Sequence, residues 1–125
     1  MIIKLPILEQ SFEDGELLSV EHHATFNLDT SVYSEERWEQ HFPELAKKEG
    51  LFQYIERIQQ NSTTERVKVA CMLKAIYCFI ESDKIPTYKD FAQMINLATP
   101  EYTTRMIKIL HSAFNAILGG SSVKN

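Results

Sequence analysis

A chain of 125 residues has the usual length of one domain, long enough to bury a single core and too short to build two. Apolar residues make up 44% and charged residues 24% of it, which excludes the polar composition of disordered segments. A net charge of −4 provides no clustered cationic footprint for phosphate, so nucleic acid is not an expected partner.

The opening MIIKLPILEQ stays apolar only until Glu9 and has neither a charged segment leading into a long apolar one nor a small-residue cleavage site, so export is not expected. No apolar run approaches the roughly 20 residues of a bilayer span, and the chain reads as cytoplasmic with no membrane partner. Ile3, Leu5 and Ile7 alternate with other residues, and Ala24, Phe26 and Leu28 alternate with Thr25, Asn27 and Asp29, which is the period of a strand. Between the two stretches stands Asp14-Gly15, a hairpin turn signal because both residues tolerate positive φ. Pro6 lacks an N–H and confines its strand to an edge. Residues 1–30 are expected to form a small hairpin or an extended arm packed on the same domain.

From Ser34-Glu35-Glu36 the period becomes helical, running through Trp38 and His41 to Phe42, with acids in the first turn. Pro43 opens a second short helix through Leu45, Ala46 and Lys48, with Gly50 as its C-terminal stop. Leu51, Phe52, Tyr54, Ile55 and Ile58 then recur at helical spacing as far as Gln59-Gln60-Asn61. Ser62-Thr63-Thr64-Glu65 fits a capping box opening a long helix. Apolar residues Val67, Val69, Ala70, Met72, Leu73, Ile76, Tyr77, Phe79 and Ile80 surround that helix, marking it as the buried hub. Asp83-Lys84-Ile85-Pro86 breaks the chain, and Thr87 caps a short helix carrying Tyr88, Phe91, Met94 and Ile95.

Thr99-Pro100 starts the last helix, which runs to Leu118 with a polar stripe of Glu101, Arg105, Lys108, Ser112 and Asn115. Gly119-Gly120 ends it, and residues 119–125 are expected to be a flexible tail. The whole predicts a mainly α, compact multi-helix domain, with its helical core over residues 31–118 behind the N-terminal hairpin or arm.

The residues that carry chemistry do not assemble into a centre. Cys71 and Cys78 lie seven positions apart in one helix, so their backbones are about 10 Å apart, beyond the about 7 Å that a disulfide allows; they read as small core hydrophobes. His22, His23, His41 and His111 show no zinc-binding spacing. Gly15 and Gly50 stand alone, and Gly119-Gly120 follows a helix, so there is no phosphate loop. Glu35, Glu36 and Glu39 lie beside Arg37 on a solvated helical face. Serines and threonines fall mostly at helix starts, where capping accounts for them. No catalytic residue, cofactor or metal site is expected, and the chain reads as a binding protein instead of an enzyme. The run from Pro86 to Arg105 has the form of a helix-turn-helix, the alternative being a small DNA-binding regulator. Its second helix starts with Pro100 and Glu101 and offers only Arg105 and Lys108 as cations.

The stretch from Asp29 to Ile58 carries Trp38, Phe42-Pro43, Leu45-Ala46, Phe52 and Tyr54-Ile55. It resembles the tail assembly chaperones, or tape measure protein chaperones, of long non-contractile-tailed phages of Gram-positive bacteria. Length and the arm-plus-helices layout agree across nearly the whole chain, and the named residues read as fold-defining. The resemblance implies a protein of the host cytoplasm, absent from the mature virion, that shields the apolar, helix-rich tape measure protein until the tail tube forms around it. It also implies a longer, frameshift-extended form, joined near Gly119-Gly120-Ser121-Ser122, and the tail tube protein as further partners. The apolar excess of the last helix, Met106, Ile107, Leu110, Phe114, Ile117 and Leu118, with Met94 nearby, is the expected client-binding surface. Repeated copies on a long client imply self-association in rings or open helical arrays.

Overall fold

The computed structural model of the protein describes residues 1–61, 63–81 and 84–119. Two strands, β1 (Ile2–Glu13) and β2 (Glu16–Asn27), pair as an antiparallel hairpin. Six helices follow among the described residues: α1 (Tyr33–His41), α2 (Pro43–Ala46), α3 (Leu51–Gln60), α4 (Glu65–Phe79), α5 (Tyr88–Gln93) and α6 (Pro100–Ile117). Helix accounts for 53% and strand for 22%, so the molecule is a small mixed α/β domain. The expectation of a mainly α fold is corrected on this point.

The hairpin is longer than its alternating ends suggest, because its register runs unbroken from Ile2 opposite Asn27 to Glu13 opposite Glu16. Asp14 (φ 51°) and Gly15 (φ 78°) make the two-residue turn, with both residues in the left-handed region that matches strand twist. Only the root is buried, through Ile3, Leu5, Ile7, Phe26 and Leu28. Farther out both faces meet water, so burial imposes no alternation on residues 8–23, and adjacent Leu17-Leu18 breaks the period-two signal. Pro6 lies opposite His23 in a sheet whose two strands are both edges, where a missing N–H is tolerated. The root is stitched to the end of α4: the Asp29 N–H donates to the Phe79 carbonyl at 2.6 Å and the Glu81 N–H to that of Asn27 at 3.0 Å.

Helix α4 lies at the centre, packed by α6, α1, α3 and α5. Val69, Met72, Leu73, Ala75, Ile76, Tyr77, Cys78 and Phe79 are all buried, whereas Val67 and Ala70 face solvent near its start and are not part of the hub. Its N-cap is Thr64, which makes no side-chain cap, so Glu65 opens the helix instead of closing a capping box. Ser62 of that box, Asp83 of the expected break, Gly120 and residues 121–125 lie outside the described residues.

The fold-defining residues of the α1 to α3 region divide by burial. Trp38 is buried and donates its indole N–H to the Glu49 carbonyl at 3.0 Å. Its ring lies 4.7 Å from that of Tyr54 and 5.5 Å from that of Phe42. Tyr54 and Ile55 are buried, Phe42 and Leu45 half-buried, and Phe52 is exposed beside Phe79; Pro43 opens α2. Two local readings change. Helix α1 begins at Tyr33, and the Ser34 hydroxyl donates to the Ser31 carbonyl at 2.8 Å without capping. Gly50 does not stop α2; it is the N-cap of α3 in extended conformation, and the Glu35 carboxylate accepts from the Leu51 N–H at 3.1 Å. An acid at that helix start opposes the positive end of its dipole. The starts of α5 and α6 stand where the sequence places them: Thr87 and Thr99 side chains accept from the N–H of Asp90 and Tyr102.

Candidate functional site

The hairpin leaves the body as an arm. Its last side-chain ties to the body among the described residues are at Gln10, which accepts from the amide of Asn96 in the segment after α5 at 3.1 Å, and at Glu21, which accepts from both terminal nitrogens of Arg105 in α6. The Arg105 guanidinium holds the Glu21 carboxyl below the usual carboxylate value of 4.5. Deeper in, the buried Tyr102 hydroxyl donates to the Pro6 carbonyl, and burial pushes that phenol up to about 12. From Gln10 to the turn the ladder continues for about four residues, or about 13 Å, with no tie to the helices among the described residues.

On this outer part stand three large apolar side chains, Phe12 at 68% exposed, Leu17 at 62% and Leu18 at 42%, while Val20, 64% exposed, lies just inside it between the Gln10 and Glu21 ties. Strand alternation sorts them by face. Phe12 and Leu17 are directly opposite each other on one face. On the other, Val20 is opposite Glu9, Leu18 opposite Ser11, and Glu13 opposite Glu16. The second face runs back onto Ile7 and His22, where the Glu9 carboxylate meets the His22 ring. There it opens into a groove of about 620 Å³ between the arm and the segment after α5, lined by Ile7, Leu8, Glu9, His22, Met94 and Ile95, with Gln93 and Asn96. Groove and arm face together form a strip with an apolar floor and a carboxylate border. Such a surface can hold an apolar segment by burial.

The expected client-binding residues are not gathered on one surface. Met106, Leu110 and Phe114 point into the core with no exposed area, where they pack against the hub. Ile107, Ile117 and Leu118 are half-buried against that core, and so is Met94, which also lines the groove. The apolar excess of the last helix is taken up because α6 packs on both α4 and β1, so two of its sides are covered. Sequence reasoning missed Phe12, Leu17, Leu18 and Val20. Their signal was present as four large apolar residues within nine positions around Asp14-Gly15, interleaved with Glu13 and Glu16 and too many for one buried face.

Elsewhere the reactive side chains are occupied by structure. Cys78 is buried, its thiol pushed up to about 12 by desolvation, and Cys71 is half-buried. His111 meets the Gln59 amide at 3.1 Å. Among the described residues no three of His, Cys, Asp and Glu come together as a metal ligand set, and no helix is long and apolar enough to cross a membrane. Arg105, one of two cations on the would-be recognition helix, is held by Glu21, which sets a carboxylate where phosphate would have to approach. Comparisons with protein-family models, curated proteins and solved structures find no match for this chain.

Proposed function

We propose that the protein is a phage tail assembly chaperone, which binds the apolar, helix-rich tape measure protein during tail morphogenesis in the host cytoplasm and is left out of the finished particle. It works by covering surface and performs no bond chemistry. The observation that carries this reading is the arm: Phe12, Leu17 and Leu18 are exposed on a two-stranded ladder beyond its last tie to the body among the described residues, and Val20 is exposed beside that tie. A hairpin of two strands is marginal by itself in water, and an exposed apolar patch of this kind is ordinarily covered by a partner. The client surface is accordingly assigned to the arm and the groove at its root, where Met94 remains a lining residue, and not to the buried side of α6.

The test is co-expression with the tape measure protein of the same phage. The expected result is a soluble complex that elutes as one species, and loss of that complex when Phe12, Leu17, Leu18 and Val20 are replaced together by Ser. Because these side chains are exposed, the variant should fold like the parent. A tape measure protein equally insoluble with and without the parent chain would overturn the assignment.

A further inference from the structure

The charge of the arm states what kind of segment it accepts. Between Met1 and Glu36 the only Lys or Arg is Lys4, while Glu9, Glu13, Asp14, Glu16 and Glu21 all lie on the arm. Arg105 neutralises Glu21, and Glu9 meets His22. Glu13 and Glu16 stand directly opposite each other across the ladder, and Asp14 is at the turn between them. Like charges facing each other across a strand pair weaken it, and here they sit at the end with no packing to compensate. The tip of the arm therefore presents facing carboxylates to solvent, where a cation brought by a partner finds opposite charge. Pairing two arms tip to tip would add further carboxylates to the same place, which argues against a second arm as the occupant.

We propose that the Leu18 and Val20 face of the arm, continued by the Ile7, Met94 and Ile95 groove, takes an amphipathic helix whose apolar stripe is flanked by Lys or Arg, the cations meeting Glu13 and Glu16. The strip from Ile7 opposite His22 to Glu13 opposite Glu16 spans six residue steps, or about 20 Å. That length matches about four turns of helix. Apolar contact supplies the adhesion, and the acidic end sets which helices are admitted and in which direction they lie. This inference rests on the reading of the arm as the client-binding element and narrows the client segment to a basic one.

The probes are two synthetic amphipathic helices of the same length and Leu stripe, one flanked by Lys and one by Glu, titrated into the full chain. The Lys peptide is expected to bind and to shift the amide resonances of residues 9–20 together with Met94, while the Glu peptide binds at least tenfold more weakly. The triple variant Glu9→Gln, Glu13→Gln, Glu16→Gln should lose at least tenfold of the Lys peptide's affinity. Removing the same charge elsewhere, by Glu36→Gln, Glu39→Gln and Glu56→Gln at exposed helical positions, should change it by less than twofold. Equal losses in the two triple variants, equal binding of the two peptides, or shifts that avoid the arm would each overturn the proposal. So would light scattering that shows the arm saturated by a second copy which the Lys peptide does not displace. If the tape measure complex survives the Gln triple but not the Ser variant of the apolar side chains, the arm is the client site without a charge preference. That result removes this inference and leaves the proposed function standing.

Discussion

Two neighbouring residues of α6 hold the arm, and they do not contribute equally. Tyr102 is 2% exposed and its hydroxyl ends on the carbonyl of Pro6, which, lying in a buried segment, has no water to replace the lost donor. Arg105 and Glu21 form a forked ion pair, but in open solvent, where screening and side-chain entropy cancel most of the attraction. Tyr102→Phe is therefore expected to destabilise the protein by about 1 to 3 kcal/mol, the usual cost of leaving a buried acceptor unpaired, measured as a shift of the urea midpoint with an unchanged slope. Arg105→Gln should move that midpoint far less. A Tyr102→Phe protein as stable as the parent would show that the hydroxyl does not anchor the root.

At the scale of the element, the hairpin combines two kinds of strand. Its root is a core component, closed by Ile3, Leu5, Phe26 and Leu28 and tied to α4 through the Leu28 and Ile80 bridge. Its outer half is held by ladder bonds and a turn. Gly15 sits at φ 78°, with nothing within 4 Å of where a Cβ would be, so backbone conformation alone disfavours a side chain there. Gly15→Ala should cost the turn about 1 to 2 kcal/mol. Because the outer half can open without the core, that cost should appear locally: faster amide exchange at Leu17, Leu18 and Phe12, with exchange at Leu5 and the melting temperature unchanged. A fall in melting temperature matching the local loss would mean that the arm and body unfold as one unit. An arm that opens more easily than the body is suited to fold fully on its partner.

For the molecule as a whole, the acid side of its stability curve is set in part by His41. Its ring packs against Tyr77 at 5.1 Å, and burial, with the nearby Arg37 guanidinium, holds its pKa below 6.5. The folded state therefore resists a proton that the unfolded chain accepts. The stability this represents is complete above pH 6.5 and is lost as pH falls through the lower folded value. Unfolding free energy is expected to decline as the pH is lowered from 7 past the ordinary histidine value of 6.5, and His41→Gln should flatten that decline. Parallel pH profiles for parent and variant would assign the decline to other groups. Glu21 and Asp29, held low by Arg105 and by Ser31, add their own loss only in more acid solution, below their ordinary carboxylate values.

Much of this architecture was legible one segment at a time. The Asp14-Gly15 turn, the Thr87 and Thr99 caps, Pro43 and Pro100 at first helical positions, and the hub character of the helix read over Val67 to Ile80, apart from Val67 and Ala70, follow from φ preference, hydrogen-bond satisfaction and hydrophobic period, which act within a few residues. Gly50 shows where local reasoning stops: glycine after a helix reads as a stop, yet here the Glu35 carboxylate arrives from α1 and Gly50 begins the next helix instead. The same limit governed the candidate site. Apolar character in α6 and in the arm looks alike in the sequence, because a side chain's type states that it favours burial and not what buries it. Only the tertiary arrangement, which places α4 and β1 on two sides of α6 and, among the described residues, no helix against the outer arm, turned Met106, Leu110 and Phe114 into core and left Phe12, Leu17, Leu18 and Val20 as surface.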